Sequence, residues 1–94
     1  MNEIESPRVT VVIPSFNHAY FIGQAIQSVL DQAFGDFEII VVDDGSTDGS
    51  RDVIDRFGTQ VVYVRQENRG LSAARNTGVR MARGEFVGFL YADD

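Results

Sequence analysis

The chain has 94 residues, with eight Lys plus Arg against fourteen Asp plus Glu for a net charge of −6, and is 44% hydrophobic and 23% charged. That length allows one small domain, and the composition is that of a globular rather than a disordered segment. The acidic balance argues against a nucleic-acid partner, which needs a basic stripe to neutralise phosphates, and the lack of cysteine excludes disulfides, thiolate metal sites and Cys nucleophiles.

Residues 1–7, MNEIESP, are polar and acidic and lack the basic and apolar regions of a signal peptide, so they read as a flexible start. An apolar β-branched run gives a first strand over Val9–Ile13, which Pro14 is expected to end by removing a donor and restricting Ile13. A helix from about Ala19 to Gln32 places Ile22, Ile26, Val29 and Leu30 at helical spacing, with Gln24, Gln27 and Asp31 turned outward. A second strand follows over Phe37–Val42. Asp48 or Ser46 can cap a short second helix carrying Val53, Ile54 and Phe57, and Gly58 stands where a left-handed C-terminal residue is wanted. A third strand covers Val61–Val64. The third helix runs from about Leu71 to Arg83, with Ala74, Gly78 and Ala82 forming a small-residue stripe that permits close approach to the strands, and Gly84 stops it. A fourth strand covers Phe86–Leu90. No apolar run approaches the roughly 20 residues of a membrane span, so no span is expected in this chain and a cytoplasmic location is.

The pattern βαβαβαβ, with continuous apolar runs, predicts an α/β fold: a Rossmann-like, doubly wound, mainly parallel sheet of about four strands with three helices. Such sheets bind ligands beyond the carboxyl ends of their strands, near the switch in strand order. The residues that follow the strands are therefore the candidates. Pro14 to Asn17 follow the first, and the ring of Phe16 can stack on a base or fill the rim. Asp43 and Asp44 open the segment DDGSTDGS after the second. Side chains alternate along a strand, so at most one of the two carboxylates is expected to face a ligand, where it could accept from the N3–H of uracil or the N1–H and amino group of guanine. Their competing role is to cap the turn and the following helix. After the third strand comes QENRGLSAARNTG, whose Arg75 sits in the early turns of a helix, where phosphate is favoured; for Asn76 a purely structural role is the better reading. The chain closes on Tyr91, Ala92, Asp93 and Asp94, and carboxylates at a strand end without His or Cys suit a hard cation, Mg²⁺ or Mn²⁺, bound jointly with a diphosphate. His18, the only histidine, is assigned no role. No G-x-G-x-x-G follows the first strand and no P-loop motif occurs, which removes dinucleotide oxidoreductases and P-loop NTPases. A phosphoacceptor receiver domain needs a lysine, and the chain contains none.

Four ordered segments, VVIPSFN, SVLDQAFGDFEIIVVDDGSTDGS, NRGLSAARNTG and ARGEFVGFLYADD, closely resemble the family 2 glycosyltransferases over nearly the whole chain. The resemblance implies a GT-A fold and transfer of a sugar from a nucleoside diphosphate donor to an acceptor hydroxyl with inversion, helped by a divalent cation. It makes residues 8–94 the donor-binding portion. By that resemblance Pro14 and Phe16 lie along the nucleotide, Asp44 contacts the base with Asp43 beside it, Arg75 is the basic residue near the donor, and Asp93 is the metal ligand with Asp94 as an outer alternative. Tyr91 stands where the family usually has the first Asp of Asp-x-Asp, and a phenol is no charged acceptor at neutral pH. The chain stops at Asp94, directly after the metal motif. The acceptor region and the general base are thus expected beyond it, no catalytic residue is assigned, and the 94 residues alone are expected not to transfer sugar. Uridine is the preferred base of the donor. An exposed sheet edge is expected to let the chain associate with a second copy.

Overall fold

Strands and helices alternate along the chain in the computed structural model, which describes residues 7–32 and 35–91: β1 (Val9–Ser15), α1 (Ala19–Gln32), β2 (Phe37–Asp43), α2 (Ser50–Asp55), β3 (Val62–Arg65), α3 (Leu71–Met81) and β4 (Phe86–Phe89). Asp93 and Asp94, and the flexible start expected over residues 1–7 except Pro7, lie outside the described residues. The four strands are all parallel in the order β3-β2-β1-β4. The chain therefore winds outward from β1 to β3 and then returns across the sheet to place β4 on the other side of β1. The switch in strand order lies between β1 and β4.

Alternation along the central strands divides the core into two layers. Ile13, Ile39 and Val41 face α1 and α2, where Ile22, Ile26 and Ile54 meet them, all at most 2% exposed. Val12, Ile40 and Val42 face α3 and pack on Ala74. Each fully buried Ile or Val contributes on the order of 1.5–3 kcal/mol. The small-residue stripe of α3 does what its composition implies: a Cβ on Gly78 would stand 2.3 Å from Val12 Cγ1, so only glycine lets the helix lie this close. Only β1 and β2 are covered on both faces. β3 and β4 are edges: β4 has largely exposed side chains, and on β3 Tyr63 and Val64 are half-buried against the two layers while Val62 and Arg65 are exposed, less burial than their apolar runs suggest.

Several boundaries differ from the sequence reading, each for a local reason. β1 does not end at Pro14 but continues to Ser15, with Pro14 opposite Val42 and Ser15 opposite Asp43. The Val12 carbonyl accepts from Leu90 N on the β4 side, and by alternation the nitrogen of Pro14 points to that same side, past the last β4 residue paired with β1. Its missing N–H costs the β1–β2 ladder nothing. α3 ends at Met81 rather than Arg83, because Ala82 turns to ψ 137° and Arg83 is drawn to Glu38: its backbone N and its Nε donate to the two carboxylate oxygens at 2.8 and 3.1 Å. α2 starts after Gly49, which is left-handed and supplies no side-chain cap. Gly58 is left-handed, as expected, at φ 57°.

Candidate functional site

All four carboxyl ends lie on one edge of a parallel sheet, and the loops there are tied together by the two acids that end β2. Asp43 and Asp44 are 0% and 1% exposed. Adjacent buried carboxylates are tolerable only if each is supplied with donors, and each is, on opposite sides. Asp43 Oδ1 accepts from Ser46 N at 2.9 Å, closing the turn that follows. Its Oδ2 accepts from the Tyr63 hydroxyl at 2.8 Å and lies 3.6 Å from the Arg65 guanidinium. Asp44 turns the other way: Oδ1 accepts from Gln66 Nε2 and Arg69 N, and Oδ2 from Gly70 N, all at 2.8 Å. Burial alone would raise the Asp44 pKa, but the donors from Arg69, Gln66 and Gly70, with the Arg69 charge, hold it below the usual carboxylate range. Tyr63 is pushed up, by burial first and then by donating to the Asp43 carboxylate.

A second set of bonds joins the loop after β1 to the loop after β2. Asn17 N donates to Ser46 Oγ at 2.8 Å, and Thr47 N donates back to Asn17 Oδ1 at 2.9 Å. Asp48 was expected to cap α2 and in fact serves two helices. Its Oδ2 accepts from Ala19 N in the first turn of α1, while its Oδ1 accepts from Ser50 N and Ser50 Oγ at the start of α2. A carboxylate between two helix N-termini is well placed for both dipoles. Burial works against its charged form, yet the donors from Ser50 and Ala19 leave its pKa lowered. Ser46 is the junction of the edge, since its N serves Asp43, its Oγ serves Asn17 and its carbonyl accepts from the Arg65 guanidinium at 2.9 Å.

The site residues read from the sequence fall into two groups along this edge. Pro14 is buried and Phe16 half-buried at the end of β1, with Asp43 and Asp44 on the neighbouring strand. Arg75 is exposed on α3, its guanidinium 5.5 Å from the ring centroid of Phe89, beside the β4 end that leads to half-buried Tyr91. Arg75 is brought to β4 and not to the two acids. Asp93 and Asp94 are outside the described residues, and among those described no group of three His, Cys, Asp or Glu could hold a metal ion. Tyr63 and Arg65, both on β3, were missed from sequence, while Asn17, Ser46 and Gln66 lie in segments the sequence singled out but without the loop-joining roles they have in the fold. The pairing of all five depends on strand order, which brings β3 beside β2 and the loop after β1 beside the loop after β2.

The sequence matches the family described as Glycosyl transferase family 2 over residues 10–94. The chain belongs to that family. It is 39% identical over 90 residues to glycosyltransferase GlyA of Streptococcus pneumoniae, covering 93% of this chain and 13% of that protein. Among solved structures, it resembles the Pyrobaculum calidifontis mannosyltransferase PcManGT in complex with GDP-Man and Mn²⁺ (TM-score 0.85, 34% identity, 95% of this chain and 28% of that one). It also resembles S. aureus TarS in complex with UDP-GlcNAc (TM-score 0.80, 28% identity, 92% of this chain and 26% of that one). The family 2 chain thus has the sheet and helices of the GT-A fold, and it spans less than a third of the length of these relatives.

Proposed function

We propose that residues 8–94 form the donor-binding part of an inverting, metal-dependent hexosyltransferase, which takes a nucleoside diphosphate sugar across the carboxyl ends of β1, β2 and β4. The observation that carries this reading is the hydrogen-bonded carboxyl edge of β1, β2 and β3, beside the strand-order switch, where Asp43 and Asp44 bind together loops that a nucleotide would touch. Phe16 stacks on the base and Pro14 shapes the wall beside it. Asp44 serves the base: three of a carboxylate's roughly four acceptor positions are taken by Gln66, Arg69 and Gly70. One remains, which suits a base presenting a single N–H, as uracil does at N3, rather than the paired donors of guanine. At 1% exposure Asp44 is reached only when the 66–70 segment parts slightly. Arg75 serves the diphosphate. Tyr91 lies near the donor sugar.

Asp43 and Asp44 are buried and already take internal donors, and the one position left on Asp44 goes to the base, so neither is assigned to a cation. The donor chemistry that fits Mg²⁺ or Mn²⁺ is Asp93 with the diphosphate oxygens and water, the pattern such ions adopt with few protein carboxylates. When bound, the cation would offset negative charge on the departing diphosphate. The 94 residues are read as binding the donor without completing a transfer: none of the described residues is assigned as general base toward an acceptor. A calorimetric titration of UDP with and without Mn²⁺, on this chain and on Asp93→Ala, tests the reading. Metal-dependent binding lost in the variant is expected; absence of binding in the parent chain would overturn it.

A further inference from the structure

Asn17 is the only non-glycine residue with positive φ among the described residues, at φ 53°. Left-handed backbone is disfavoured for L-residues and is best tolerated by Asn, Asp and Gly, so the conformation is held by something. What holds it is a reciprocal pair of hydrogen bonds across two loops. The Asn17 backbone N donates to Ser46 Oγ, and its side-chain Oδ1 accepts from Thr47 N. Ser46 is itself 8% exposed and fixed from two further sides, by Asp43 and Arg65. Two residues on, Ala19 N is bound by Asp48. The loop after β1 is therefore clamped on both sides of Phe16: before it the Ser15 carbonyl accepts from Asp44 N at 2.8 Å, and after it Asn17 and Ala19 are held by the loop after β2.

We infer that Asn17 is a positioning residue for nucleotide binding: by reversing the chain in a left-handed turn and locking it to Ser46 and Thr47, it fixes the half-buried ring of Phe16 at the carboxyl edge of β1. This rests on the proposed donor site. The clamp uses one backbone donor, which any residue supplies, and one side-chain acceptor, which Asn and Asp supply and Gly does not. Glycine, on the other hand, adopts φ 53° without strain. Asn17→Gly thus removes the acceptor alone, and Asn17→Asp keeps both the acceptor and tolerance of the conformation.

The decisive experiment is a double-mutant cycle on UDP affinity, measured by calorimetry in the presence of Mn²⁺ with the full 94-residue chain. Asn17→Gly should weaken UDP binding about fivefold, the worth of one ordinary hydrogen bond, and Asn17→Asp should retain the parent affinity. In the Phe16→Ala background, Asn17→Gly should weaken binding no further, because its effect passes through the ring. A purely structural role would lower the melting temperature of Asn17→Gly while leaving affinity unchanged, or would add its full factor to that of Phe16→Ala. Either result overturns the inference while leaving the donor site standing. Absence of UDP binding by the parent chain would overturn the donor site and this role together.

Discussion

Two neighbouring carboxylates at a strand end repel one another and resist burial, and they persist here because the surrounding loops supply donors to each from a different side. Asp44 is the sharper case, with two backbone N–H groups and an amide from a single segment, Gln66 to Gly70. Asp44→Ala would leave those partly buried donors without their acceptor and should cost about 1–2 kcal/mol, read as a lower denaturant midpoint with an unchanged slope. The lowered pKa values of Asp44, Asp48 and Glu38 fix the direction of the pH response. Each carboxylate is more acidic folded than at its ordinary 3.8 or 4.5. The stability each contributes is complete above that ordinary value and is lost as pH falls through the lower folded value. Melting temperature should accordingly drop below about pH 4, and Asp44→Asn should flatten that drop; an unchanged acid profile in the variant would mean that Asp44 is not ionised in the fold. Sequence placed this pair at the strand end and foresaw their opposite directions, but of its capping alternative only the turn closed by Asp43 is seen: Asp44 serves the 66–70 segment and Asp48 the start of α2. It could not foresee the partners Gln66 and Tyr63, because those depend on β3 lying beside β2.

At the scale of elements, the closeness of α3 to the sheet rests on Gly78 and the α3–β4 turn on Gly84. A Cβ on Gly84 would fall 2.6 Å from Thr10 N, a backbone atom with little room to yield, whereas one on Gly88 would meet nothing within 4 Å. Gly78→Ala should lower stability by about 1–3 kcal/mol through overpacking against Val12, while Gly88→Ala should stay within about 0.5 kcal/mol. Equal effects of the two in thermal unfolding would show that α3 does not lie as close as described. The turn itself is held by a clasp in which Thr10 Oγ1 donates to Glu38 Oε2 at 2.6 Å and accepts from Gly84 N at 2.9 Å, with Arg83 on the same carboxylate. Element existence was legible from periodicity, and the small stripe of α3 from composition. The boundaries that slipped, at Pro14 and at Arg83, were decided by contacts far apart in sequence: the β4 register in one case and Glu38 in the other.

Among the described residues the molecule presents a hydrogen-bonded carboxyl edge and, at one flank, the exposed edge strand β4. β4 is an edge strand whose Phe86 and Phe89 are 54% and 42% exposed, and unpaired strand edges of this kind pair with other chains. Association of the chain through β4 is therefore expected at high concentration, visible by light scattering, and should be suppressed by Val87→Lys on that strand; a strictly monomeric mass would count against it. Fold class and strand-end placement were readable because a βαβ pattern admits few topologies. The hydrogen-bonded edge was not readable, since it is a property of loops brought together by strand order. Binding of a nucleoside diphosphate at this edge is read from the backbone amide shifts of ¹⁵N-labelled protein on titration with UDP and Mg²⁺. Shifts should concentrate at Phe16 and Asn17, Asp44 to Ser46 and Gln66 to Gly70; shifts confined to the opposite edge near Thr10, Glu38 and Arg83, or none at all, would rule out nucleotide binding at the carboxyl edge.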